Sequence, residues 1–114
     1  MKVLFLSVLC IFSFSSSFSQ TKGNYKISGT IIDSVSKQPV EYATISIIDN
    51  ITKKIVDDTI SNKQGKFQLK KITAGNYSMS IQCIGYTDLF IKVSVTADVL
   101  LNDIILIKER EKIS

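Results

Sequence analysis

Tyr77-Ser78-Met79-Ser80-Ile81-Gln82-Cys83 alternates without a break: Tyr77, Met79, Ile81 and Cys83 fall on one side, Ser78, Ser80 and Gln82 on the other. Successive side chains of a β-strand point to opposite faces, so this period of two makes a ribbon with one apolar face and one polar face. The apolar face is the one that must meet a core.

The same period recurs on both sides of this stretch. Tyr25, Ile27, Gly29 and Ile31 share a face, as do Ala43, Ile45 and Ile47 after Pro39, and Ile91, Val93 and Val95 further on. Further strands are expected over Ile55 to Ile60, over Gly65 to Leu69, and over Asp103 to Lys108, where Ile104-Ile105-Leu106-Ile107 is apolar on both faces. Between them lie Ser36-Lys37-Gln38-Pro39, Asn62-Lys63-Gln64-Gly65 and Ala74-Gly75-Asn76. Proline's fixed φ and missing N–H keep position 39 out of a central ladder, and Gly and Asn tolerate positive φ. About seven short strands, turn signals between them and no amphipathic helical pattern predict an all-β fold, a seven-stranded sandwich of two sheets.

The N-terminus reads differently. Met1-Lys2, an apolar run from Val3 to Phe14 and then Ser15-Ser16-Ser17-Phe18-Ser19 follow the charged, apolar and small-residue order of a secretory signal peptide, with cleavage expected after Ser19. The apolar run is shorter than the roughly 20 residues a membrane-spanning helix needs. Leu9 stands before Cys10, where a lipoprotein signal wants a small residue. The expected organisation is a signal peptide over 1–19, an N-terminal extension over 20–24, one β domain over 25–108, and a polar tail or start of a linker over 109–114.

A chain from Gln20 to Ser114 is one domain, large enough to bury a core without metal or disulfide. Once Cys10 leaves with the signal, Cys83 stands alone, and no internal disulfide is possible. The formal net charge of +4, one unit of it from Lys2, is spread among interspersed acids, which is a solvated surface rather than a basic stripe for nucleic acid.

The sequence offers little chemistry. It has no histidine, so the commonest general base and zinc ligand is missing. Cys83 shares a face with Tyr77, Met79 and Ile81 and reads as an inert core thiol. Asp57 and Asp58 are adjacent in a strand, so they point to opposite faces and form no carboxylate pair; a solvated edge explains them. The loop Asn62 to Gly65 has no carboxylate for calcium. No catalytic, cofactor-binding or metal-binding residue is therefore expected. Asn50-Ile51-Thr52 and Asn76-Tyr77-Ser78 match the short N-glycosylation pattern, and Asp33-Ser34-Val35 and Asp58-Thr59-Ile60 resemble a periplasmic O-glycosylation acceptor of some Gram-negative groups.

Five pieces, in order, carry a resemblance: Ile27-Ser28-Gly29-Thr30-Ile31-Ile32-Asp33, Pro39-Val40-Glu41-Tyr42-Ala43-Thr44-Ile45, Asn62-Lys63-Gln64-Gly65-Lys66-Phe67, Ala74-Gly75-Asn76-Tyr77 and Ile84-Gly85-Tyr86. Together they resemble the carboxypeptidase regulatory-like domain, a transthyretin-like (prealbumin-like) sandwich. Asn62 departs from the aspartate more usual there, but makes the same local turn bonds. Read from the bottom up, these residues are structural: Gly29 and Gly85 admit a bulge or a close neighbour, Gly65 and Gly75 make turns, Phe67 and Tyr77 are core rings, and the Tyr77 hydroxyl needs a polar partner at the rim.

The resemblance implies an accessory, interaction-type domain of a TonB-dependent outer-membrane receptor or other outer-membrane barrel protein, facing the periplasm. Its expected partner is the plug or barrel, in cis or in trans, with no nucleic acid, no cofactor and no membrane span in the mature chain. The chain is too short, and its strands too few, to be a barrel itself, so it is expected to be the front or a remnant of a longer receptor. The alternatives are a free-standing periplasmic or surface module that binds a peptide or glycan, and the accessory domain of a metallocarboxypeptidase.

Overall fold

A computed structural model describes residues 23–109. The expected signal peptide and all but the first residue of the tail lie outside that range. Seven strands run in chain order: β1 (Tyr25–Asp33), β2 (Thr44–Asp49), β3 (Ile55–Ile60), β4 (Lys66–Ile72), β5 (Gly75–Gln82), β6 (Leu89–Val95) and β7 (Val99–Leu106). They form a three-stranded sheet in the order β4-β1-β7 and a four-stranded sheet in the order β3-β2-β5-β6. All pairs are antiparallel except β1 and β7, which run side by side in the same direction. No helix among the described residues is long and apolar enough to cross a membrane.

The inner faces of the two sheets meet in one apolar core. Ile27 and Ile31 of β1, Ile45 and Ile47 of β2, Met79 and Ile81 of β5, Val95 of β6 and Ile72 at the end of β4 are completely buried. β5 lies at the middle of this layer: Ile81 pairs with Ile45 on one side and Leu89 on the other. Each branched side chain buried there contributes about 1.5–3 kcal/mol relative to leaving it in water. Phe67 and Tyr77 are the expected core rings, and the Tyr77 hydroxyl donates to the Thr73 carbonyl at 2.6 Å, the polar partner at the rim that its burial requires.

Three elements differ from the sequence reading. β5 already begins at Gly75, expected in a turn but paired with Val95, and stops at Gln82, short of Cys83. The last strand was expected from Asp103 to Lys108 but spans Val99–Leu106. Asn102-Asp103 looks like a break; instead the register shifts there, so that Gly29 pairs with Leu101 and Ile31 with Ile104. A bulge lets the polar pair pass through a continuous strand. The fourth strand extends beyond Leu69 to Ile72 by a related device: Ile27 pairs with Leu69 but Tyr25 with Ile72, and Lys71 takes a positive φ of 60°.

Gly29 is needed for contact rather than conformation. A Cβ there would lie 2.7 Å from the Leu101 carbonyl oxygen and 2.9 Å from the Phe67 ring. Gly29→Ala must therefore push β1 off β7 or tilt the ring, and is expected to cost roughly 1–3 kcal/mol, the range for overpacking a tight core. A chemical denaturation midpoint equal to that of the parent would refute this close packing. Gly85 has nothing within 4 Å of an added Cβ, so there the requirement is its φ of 91°.

Candidate functional site

The described part of the chain places its most constrained polar group at one end of the sandwich. β1 finishes at Asp33, whose side chain is 4% exposed, and the carboxylate closes the following turn: Oδ1 accepts the backbone N–H groups of Val35 and Ser36, both at 2.8 Å. Oδ2 accepts the Tyr86 hydroxyl at 2.6 Å, with the Lys108 ammonium 3.9 Å away. The Tyr86 hydrogen bond, then the backbone donors, hold the Asp33 carboxyl well below the usual carboxylate range. The same bond, with burial, pushes the Tyr86 phenol up to about 12.

This cluster ties both sheets to the exit of the chain. Tyr86 lies just after the turn that leaves β5, in which the Tyr86 N–H donates to the Cys83 carbonyl and Gly85 supplies the positive φ. Thr87 donates to the Ile107 carbonyl and Glu109 donates to the Gly85 carbonyl, so a short antiparallel bridge joins the β5–β6 loop of the large sheet to the strand leaving the small one. Around it lies a shallow hollow of about 460 Å³, walled by Tyr42, Gln82, Ile84 and Tyr86 with Asp88 and Glu109 at its rim. Tyr42 is 73% exposed and Ile84 99% exposed. Loops that present apolar side chains to water from a rigid scaffold are where sandwich domains carry recognition.

A second loop repeats the Asp33 turn at the opposite end. In Asp49-Asn50-Ile51-Thr52-Lys53-Lys54 the carboxylate accepts the N–H groups of Ile51 and Thr52, Thr52 Oγ1 accepts the Lys54 N–H, and Lys53 has a φ of 65°. Asp33-Ser34-Val35-Ser36-Lys37-Gln38 makes each of these bonds at the equivalent position, with Lys37 at 63°. Sequence reasoning missed this pairing, and the shared order of Asp, a branched apolar residue, Ser or Thr, and Lys was the signal for it.

The arrangement holds Asp33 ionised and the Tyr86 phenol protonated, so neither group is poised to exchange a proton near neutral pH. Asp33 is saturated with donors, and burial pushes the Cys83 thiol up, away from a nucleophilic thiolate. Cys83 stands half-buried just past the end of β5, packed against the core. Asp57 and Asp58 lie on β3, an edge strand, where Asp57 Oδ1 accepts the Asp58 N–H. Among the described residues no three acidic or cysteine side chains converge as a metal site would require. The Asn62 turn forms as the resemblance implied: its Oδ1 accepts the Gln64 and Lys66 N–H groups at 2.9 and 3.0 Å.

The modification patterns fall in unequal settings. Asn50 accepts the Ser78 hydroxyl at 2.8 Å, so the acceptor of one N-linked pattern is tied to the last residue of the other. Asp33 is committed to its turn, and Thr59 is half-buried on β3. Another polar group was not foreseen. Ser61, 2% exposed, donates to the Val40 carbonyl and accepts the Ala43 N–H, pinning the segment before β2.

A sequence profile described as the CarboxypepD_reg-like domain matches residues 27–113. The chain belongs to this family. No curated protein sequence matches the chain. Among solved structures it is similar to a cohesin–X–dockerin complex from Acetivibrio cellulolyticus, with a TM-score of 0.61 and 26% identity over 73% of this chain and 57% of that one. The shaft pilin SpaA from Lactobacillus rhamnosus GG is similar too, with a TM-score of 0.61 and 15% identity over 82% of this chain and 48% of that one. The 5-hydroxyisourate hydrolase of Klebsiella pneumoniae gives a TM-score of 0.59 and 16% identity over 75% of this chain and 92% of that one.

The chain thus spans only about half the length of the first two. The pilin and the hydrolase are similar in fold alone. As a CarboxypepD_reg-like domain the chain is a binding or accessory module; the sequence has no histidine, and among the described residues the one buried carboxylate, Asp33, is fully hydrogen-bonded.

Proposed function

We propose that this CarboxypepD_reg-like domain is a non-catalytic accessory domain of a TonB-dependent receptor or other outer-membrane barrel protein, exported to the periplasm and held at the outer membrane by contact with a plug or barrel. The observation that carries the reading is the end of the sandwich around Tyr86. There exposed Tyr42 stands on the segment pinned by buried Ser61, exposed Ile84 stands on the loop that Tyr86 ties to buried Asp33, and Ile107, 62% exposed, lies on the strand exit beside them. Apolar groups held rigidly in water at one end of a domain form a contact surface.

A photo-crosslinking amino acid at Ile84, compared with one at Val56 on β3, tests this in cells of a Gram-negative host. The expected result is a crosslink from position 84 to an outer-membrane barrel protein and none from position 56, weakened by Tyr42→Ser. Soluble periplasmic protein with no crosslinked species from position 84 would overturn the proposal. That outcome would favour a free-standing binding module, a reading supported by a separate open groove of about 560 Å³, bounded by Thr30, Ile60, Lys66 and Leu100.

A further inference from the structure

Two sheets leave four strands with one neighbour each: β4, β7, β3 and β6. An edge strand presents unpaired backbone donors and acceptors, and natural edges are blunted by charges, bulges or local capping. Three of the four edges are blunted. β3 carries Asp57 and Asp58, one capping the N–H of the other, and its register against β2 shifts between Ile47 and Ile48. β4 carries Lys66, Lys70 and Lys71, with its shift near Lys71. β7 carries Asp103 inside its shift against β1.

β6 is different. Leu89-Phe90-Ile91-Lys92-Val93-Ser94-Val95 pairs with β5 at seven consecutive positions with no shift, and holds a single charge, Lys92. Its inward-facing Leu89 and Ile91 are only partly buried, so apolar surface remains for a further strand to cover. On the outer face Phe90 is 62% exposed, and Lys92 stands beside a hollow of about 270 Å³ whose other polar walls are Asn50, Asn76 and Ser94. Asn50 lies just past β2 and Asn76 on β5, so on the free edge itself Lys92 is the charged donor for a carboxylate and Ser94 its neutral neighbour.

We propose that β6 is a docking edge for an extended segment of another protein, which adds a fifth strand to the large sheet and places an acidic side chain opposite Lys92. Main-chain bonds to the edge supply affinity and the charge supplies selection, the division of labour in β-augmentation. Charge complementarity commits the site to a foreign acidic strand. Two copies of β6 paired about their centres would set Lys92 against its own kind, an unfavourable cross-strand pair. The inference rests on the reading of the domain as an interaction module, but not on the receptor setting.

The probe is a capped nine-residue peptide, Thr-Val-Thr-Val-Glu-Val-Thr-Val-Thr, titrated into the isotopically labelled protein as recovered from expressing cells and followed by amide NMR shifts. The expected result is saturable binding, with the shifts concentrated on Leu89–Val95 and new exchange protection at alternate β6 amides. A peptide with central Lys should bind at least fivefold more weakly, and Lys92→Glu, on an exposed side chain, should reverse the order of the two. A peptide N-methylated at alternate amides should not bind.

No shifts at millimolar peptide, shifts at another edge, or an order indifferent to Lys92→Glu would overturn the proposal. So would concentration-dependent self-association through β6 without peptide, which would name a second copy as the occupant. The crosslink from position 84 is read at the other surface, so either result can fail without the other.

Discussion

Ile81→Asp is expected to abolish the cooperative unfolding transition at 25 °C, while Gln82→Asp, one residue along, leaves it in place. Ile81 is completely buried at the middle of the four-stranded sheet, between Ile45 and Leu89. Removing a buried isoleucine costs about 2–5 kcal/mol, and an ionised carboxylate in its place has no partner in an apolar layer. A domain holds a net stability of only about 5–15 kcal/mol, so the two losses together take most or all of it. Gln82 faces water and loses only an exposed bond to Asp88, 3.1 Å long. Thermal melts followed by circular dichroism decide the matter: equal shifts for the two variants would mean that β5 turns its faces the other way.

Asp33→Ala is expected to give the next largest fall in Tm, larger than Tyr86→Phe and much larger than Asp49→Ala. The two aspartates close the same turn, but only Asp33 is buried and only Asp33 holds a tyrosine from the other sheet. Its loss strands two backbone N–H groups and a phenol, and leaving buried donors unpaired costs more than never having made the bonds. Equal effects at positions 33 and 49 would show that the turn matters and the link between sheets does not.

The pH dependence follows with its sign. The folded Asp33 binds its proton far more weakly than the ordinary value of 3.8. Its contribution is therefore fully present above about pH 4 and lost progressively as the pH falls below that. Asp33→Asn should flatten this acid limb of the stability curve. An unchanged limb would assign the acid sensitivity to other carboxylates.

The period of two made most of this fold legible before any coordinates. The inward faces of β1, β2, β5 and β6 come straight from alternation, because one buried sheet face admits one register. Alternation failed where the chain carries an extra residue. Asn102-Asp103 and Lys70-Lys71 are polar pairs inside strands, and only the bulges opposite β1 explain them. The site was less legible than the fold. A buried Asp33 held by Tyr86 joins residues far apart in sequence, and no local pattern announces such a pair. Ser61 was hidden for the same reason, since its partners Val40 and Ala43 precede β2 while it follows β3. The repeated turn after Asp33 and Asp49, by contrast, was written plainly in the sequence.

The parallel pairing of β1 and β7 has a mechanical meaning. Tyr25 begins β1 at one end of the sandwich and Leu106 ends β7 at the other, so tension applied between the two ends of the domain drags the strands past each other in opposite directions. The six paired positions from Ile27–Val99 to Asp33–Leu106 then resist sliding together, rather than parting one after another as they would if the pull were applied at Asn24 and Asp98. Rupture under such a pull is governed by the unfolding rate, not by equilibrium stability. A domain threaded in this way transmits a pull along its chain before it yields to it.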